Sequence, residues 1–147
     1  MHLVIEHFYN HRVDFIWSLR QQEKVEWFLT FLTELRDVWD EFNIRIYLTS
    51  RNYDGIESGG LQLLDNNEIG KISVDGLEVY LGRADWSRIL DEMVDYHLSI
   101  FGVSGDEKDN QIGVICCGQH DFAKVIEQEC IQKSSPKCNF RFYGETF

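Results

Sequence analysis

Proline is almost missing from this chain: Pro136 is the only one in 147 residues, and no low-complexity tract or internal repeat accompanies it. The length points to one domain large enough to bury a real core. Basic side chains are also scarce, with 14 Lys and Arg against 25 Asp and Glu and a net charge of −11. Such a surface repels phosphate polymers and anionic membranes, so nucleic acid is excluded as a partner unless basic groups gather locally. A phosphate-bearing ligand must therefore be held by a few well-placed arginines. The four cysteines, Cys116, Cys117, Cys130 and Cys138, have no CxxC spacing. They fit neither a metal site nor a disulfide framework, and they suit a reducing compartment. Long apolar runs are missing as well. No stretch approaches the roughly 18 residues that would span a bilayer, so no direct membrane insertion is expected. The first eleven residues carry Glu6 and three histidines around no continuous apolar core. They are read as an N-terminal extension with solvated histidines, neither a signal peptide nor a set of metal ligands.

What is present is an alternation of strand and helix patterns. Residues 12–19 form an apolar, aromatic-rich strand pattern. Val25, Phe28, Leu29, Leu32, Leu35, Val38 and Phe42 then recur at helical spacing, predicting a helix over 22–42. A second strand is expected at 44–49, and a long loop or insertion carrying a short helix or strand at 50–77, where Gly, Asn, Asp and Ser abound. Residues 77–81 give a third strand. Asp85 is placed to cap a helix whose apolar face is Trp86, Ile89, Leu90, Met93, His97 and Ile100. Residues 111–117 give the most apolar strand, a candidate for the sheet centre. Asp121 is a second candidate cap, before a helix with Phe122, Val125, Ile126 and Cys130 facing inward. Adjacent Cys116 and Cys117 should point to opposite faces of their strand. A last strand runs over 139–143. The alternation predicts an α/β fold, three-layered, with a mostly parallel sheet.

Five strings occur in one order: Val13-Asp14-Phe15-Ile16-Trp17 with Arg20 and then Glu26-Trp27-Phe28; Tyr47-Leu48-Thr49-Ser50; Gly82-Arg83-Ala84-Asp85-Trp86; residues 112–118, IGVICCG; and the terminus 140–147, FRFYGETF. As an ordered set, covering 13–147, they resemble the NAD(P)-binding domain of the NADPH oxidase and ferric reductase family. The FIW and EWF strings are most similar to the calcium-regulated oxidases. The resemblance implies a ferredoxin-reductase-like NADP-binding domain, in which NADPH passes a hydride to FAD. Electrons then move to haem and to oxygen, giving superoxide, or to ferric iron in the sister branch. It further implies partners in FAD-binding and haem-bearing membrane domains, a place on the cytoplasmic side of a membrane-bound enzyme, and a chain that alone is soluble and does not turn over. The family's GxGxxP turn does not occur in these 147 residues, so the expectation is the distal part of the domain, 1–147, without its first strand and Gly-rich loop. Ala84 and Gln119 stand where the family usually has proline.

Carried over residue by residue, the resemblance gives Arg20 to the 2′-phosphate, since a guanidinium fork makes bidentate, charge-assisted bonds; the alternative is a solvated surface arginine. Arg83, after Gly82, is the second phosphate candidate, with an ion pair to Asp85 as its alternative. Thr49, Ser50 and Arg51 are assigned to the adenosine pocket, or else Thr49 and Ser50 to ordinary capping. Cys117 and Gly118 match a Cys-Gly pair beside the nicotinamide, where a small thiol leaves room without being a nucleophile; a buried core cysteine is the alternative. Phe147 matches a terminal aromatic that stacks on flavin, and otherwise is a terminal residue with nothing to stack on. Two further readings stay open: a ferric-chelate reductase fragment, and a non-catalytic remnant serving as an acidic interaction module.

Overall fold

The computed structural model describes residues 2–7, 12–20, 23–38, 41–49, 71–74, 77–102 and 110–146. Among these residues seven strands and three helices follow one another as β1 (His2–His7), β2 (Val13–Leu19), α1 (Glu23–Val38), β3 (Phe42–Leu48), β4 (Lys71–Val74), β5 (Leu77–Leu81), α2 (Trp86–Phe101), β6 (Gln111–Gly118), α3 (His120–Lys133) and β7 (Asn139–Thr146). They group into two compact units, Phe15–Ala84 and Met1–Asp14 with Asp85–Phe147.

In the unit Phe15–Ala84 the strand order is β4-β5-β3-β2. β3 and β5 pair parallel, with Ile46 opposite Val79, and β4 returns antiparallel along β5. One face carries a core of Trp17, Leu19, Leu32, Ile44, Ile46, Leu48, Leu77 and Val79. Helix α1 reaches this core through Leu32 and through Phe28, whose ring meets Trp17 edge-on at 5.2 Å. The helix is shorter than its apolar periodicity predicts. Val38 is 88% exposed, and Phe42 opens β3 instead of closing α1. The Phe42 ring stacks on Phe15 at 6.2 Å. From Phe42 the period-2 series 42, 44, 46, 48 serves the sheet core, and tertiary packing overrides helix periodicity there.

In the other unit β6 lies between β1 and β7. It pairs parallel with β7, Gln111 opposite Asn139 through Gly118 opposite Thr146, and antiparallel with β1, His2 opposite Cys117. The N-terminal residues read as an extension therefore supply a strand, and β6 has neighbours on both sides. Strand pairing is mixed within each unit: β3–β5 is parallel and β4–β5 antiparallel in one, β6–β7 parallel and β1–β6 antiparallel in the other. Helix α3 packs on β6 and β7, and α2 packs on α3. Ile89, Leu90, Met93 and His97 of α2 are buried, as are Ala123, Ile126 and Cys130 of α3. Ile100 and Val125, both predicted inward, are 44% and 51% exposed. Each lies at the margin of its apolar stripe, where a residue's angular position on the helix no longer meets the neighbouring layer. Trp86 meets Phe122 edge-on at 5.3 Å, and Lys133 forms an ion pair with Asp91, two further ties between α2 and α3.

The junction from α3 to β7 is held by polar side chains. Ser134 donates its hydroxyl to the Cys130 carbonyl and accepts the Phe140 N–H at 3.0 Å. Asn110 Nδ2 donates to the Pro136 carbonyl, and the Asn139 N–H donates to the Asn110 carbonyl.

Candidate functional site

The ends of β2, β3 and β5 are stitched together. Thr49, the residue after β3, donates its N–H to the Leu19 carbonyl at 2.7 Å, and its hydroxyl donates to the same oxygen at 2.9 Å. Gly82, the residue after β5, donates its N–H to the Leu48 carbonyl at 2.7 Å. Leu19 and Leu48 are both buried, so each strand is anchored just before the chain leaves the sheet. Arg20, Thr49, Gly82 and Arg83 consequently emerge from one edge, the carboxyl ends of three neighbouring strands. That is the edge at which open α/β sheets hold ligands.

Arg20 and Arg83 are exposed, and neither takes a hydrogen-bond or ion-pair partner among the described residues. Asp85, the alternative partner for Arg83, accepts the Arg88 N–H at 3.1 Å and caps α2, as its sequence position predicts. The Thr49 hydroxyl proton is spent on Leu19. What Thr49 offers outward is its lone pairs, which suit a ribose hydroxyl and do not suit a phosphate.

Gly82 has φ +118, with nothing within 4 Å of the position a β-carbon would take. Space is available, but the backbone conformation is one that L side chains rarely adopt. Gly82→Ala is expected to cost about 1–3 kcal/mol, read as a lowered urea midpoint at unchanged slope. A loss below about 0.5 kcal/mol would show that the turn relaxes freely and does not set the direction of Arg83.

One residue inside this edge, Tyr47 and Tyr80 stack at 5.0 Å with an interplanar angle of 19°. The Tyr80 hydroxyl donates to Glu78, and burial first, then that carboxylate, pushes the phenol well above its usual range. The Tyr-Tyr pair escapes sequence reading because it depends on the β3–β5 register.

In the other unit Cys117 and Gly118 close β6. The two cysteines alternate as expected: Cys116 is fully buried, while Cys117 is partly exposed on the opposite face. Burial holds the Cys116 thiol up at about 11, and those of Cys138 and Cys130 at about 11 and about 12. Gln119 precedes α3 without a side-chain capping bond, while Asp121, the predicted cap, lies within the helix's first turn. Ser50, Arg51 and Phe147 lie outside the described residues.

Sequence reading also missed a buried ion pair. Arg12 Nε and Nη2 donate to the two Asp14 oxygens at 2.8 and 3.0 Å, and the guanidinium carbon lies 3.7 Å from the Tyr96 ring centroid. The available signal was a carboxylate inside an otherwise apolar strand, with an arginine two residues earlier.

Comparison with known proteins gives a consistent picture. Residues 3–131 match the family model described as the ferric reductase NAD binding domain. Human NADPH oxidase 5 is 33% identical over 93% of the chain, and human NADPH oxidase 4 is 24% identical over 92%. The chain spans 18% and 21% of the lengths of these two relatives. No solved structure matches the chain significantly. The family match covers both units from β1 into α3, and the chain belongs to the ferric reductase NAD binding domain family, the domain it shares with the NADPH oxidases.

Proposed function

We propose that the chain is the NADPH-binding part of a flavocytochrome oxidase. Arg20 and Arg83 take the 2′-phosphate, and Thr49, Ser50 and Arg51 line the adenosine pocket beside Gly82. Cys117 and Gly118 leave room for the nicotinamide, and the terminal Phe147 faces the flavin. The observation that carries this reading is the stitched edge: two arginines with no described protein partner, brought beside Thr49 in a protein of net charge −11. Uncommitted guanidinium forks match a phosphate dianion in charge and in donor geometry.

Bound NADPH would supply a hydride, and a flavin held by another domain would accept it for onward transfer to haem and oxygen. The protein's own part is positional. Arg20 and Arg83 fix the phosphate end, Thr49 accepts from a ribose hydroxyl, and the glycine at 118 permits close backbone approach. No residue of the chain is assigned a proton transfer.

Discrimination between nucleotides tests the assignment. The sequence holds no GxGxxP turn, so affinity for NADPH is expected to be on the order of millimolar, within reach of a titration followed by NMR shifts. NADPH should bind more tightly than NADH. Arg20→Ala should remove at least roughly tenfold of that preference, since a charge-assisted bond contributes about 1.5–3 kcal/mol. Equal weakening for both nucleotides would assign Arg20 to the fold. No preference in the parent chain would instead favour the acidic interaction module.

A further inference from the structure

Strand β7, Asn139–Thr146, is the last strand of its sheet, eight residues long and without proline. The Asn139 N–H donates to Asn110, on the β6 side, so residues 139, 141, 143 and 145 direct their backbone groups to β6. Phe140, Phe142 and Gly144 therefore direct theirs outward. Ser134 Oγ accepts the Phe140 N–H and so blocks that end. Among the described residues Phe142 and Gly144 present an open row of donors and acceptors, the template that natural edge strands ordinarily blunt.

The side chains along this edge are self-complementary. Arg141, Tyr143 and Glu145 alternate onto one face of β7 and all are exposed, Tyr143 by 52%. Among the described residues neither Arg141 nor Glu145 takes an ion-pair partner. An antiparallel second copy of β7, with its two-fold axis at Tyr143, sets Arg141 opposite Glu145 of the second copy and Tyr143 opposite its own counterpart. Glu145 then meets Arg141 of the second copy. These are the non-hydrogen-bonded positions, where side chains approach most closely. The intervening hydrogen-bonded pairs set Phe142 opposite Gly144 of the second copy, so each pair brings one ring and not two to that face. A register shifted by two residues would lose both charge pairs, since the two are equivalent by symmetry.

We infer that β7 is a homodimerisation edge, on which a second copy of this chain adds antiparallel about Tyr143 and continues the sheet across the two-fold axis. The interface is isologous: each charge pair occurs twice, and reversing one charge acts twice.

Sedimentation equilibrium on the full 147-residue chain tests this. The chain should dimerise with a dissociation constant on the order of 10–100 μM, the weak end suited to a small interface. Arg141→Glu places like charges opposite each other at both sites and should weaken the dimer at least roughly tenfold. Glu145→Arg should do the same. The double charge reversal, Arg141→Glu with Glu145→Arg, regenerates both pairs and should restore the parent constant to within about threefold. A chain that stays monomeric to about 1 mM, well beyond this range, would overturn the inference. So would a dimer indifferent to Arg141→Glu, or a double variant as weak as the singles; these outcomes would place self-association on another surface. All four chains should have the same circular dichroism, since the altered residues are exposed.

Discussion

Arg12→Ala is expected to lower the unfolding free energy by about 3–5 kcal/mol, a large share of what a domain of this size possesses. Asp14 is 0% exposed and its carboxylate rests on the Arg12 fork. Removing the cation leaves a buried charge without its main counterweight, and that desolvation cost is what the measurement reads. Burial alone would lower the Arg12 pKa, but the hydrogen bond and charge attraction from Asp14 outweigh it and raise the net value. The guanidinium is therefore charged at every accessible pH. The Tyr96 ring adds a cation–π contact that ties the start of β2 to α2. Replacing both partners, Arg12→Met with Asp14→Leu, should recover most of the loss, because similar-sized apolar residues avoid the desolvation cost altogether. Urea unfolding of the four chains completes the cycle. A loss under about 1 kcal/mol in the single variant would mean that water reaches the pair and that it behaves as a surface ion pair.

Stability is also expected to collapse above pH 9. Cys116, Cys130 and Cys138 are buried as neutral thiols, with burial the leading cause of each raised value. Cys117 next to Cys116, and Cys116 with Glu129 and Glu127 around Cys130, push further in the same direction. In the unfolded chain these thiols ionise near the ordinary 9.0, whereas in the folded chain they hold their protons to about 11 or 12. Between those limits the unfolded state binds fewer protons, so stability falls as pH rises. It is fully present below about pH 9. Three thiols give a slope of about 4 kcal/mol per pH unit at its steepest. The raised Tyr80 phenol adds to the fall above pH 10. Cys130→Ala should reduce the slope by about a third whatever it does to stability at neutral pH. A slope unchanged by that variant, or a flat profile to pH 10.5, would show that the folded thiols ionise at ordinary values.

The residues of the proposed nucleotide edge were picked out by the family strings and by their place at strand ends: Arg20 and Gly82-Arg83 just after predicted strands, Thr49 at the end of one. Sequence order could not say that these three ends are neighbours. That follows from the hydrogen bonds of Thr49 to Leu19 and of Gly82 to Leu48. Nor could it say that the Thr49 hydroxyl is committed to a carbonyl, or that Gly82 needs a positive φ. The Arg12–Asp14 pair was overlooked for a related reason. A charged residue in an apolar strand pattern is ambiguous until its burial is known.

By itself the sequence determined the strand–helix alternation, the family, the alternation of Cys116 and Cys117 across β6, and the Asp85 cap. The family rests on the order of five strings along the chain; the other three depend on neighbours within a few residues, where periodicity and local hydrogen bonding dominate. Only the tertiary structure decided where α1 stops, because Val38 satisfies helical spacing yet stays exposed, while Phe42 is claimed by Phe15. It likewise decided that residues 2–7 form a strand on β6, since a short polar-flanked segment takes extended form only when another strand offers it a ladder of hydrogen bonds.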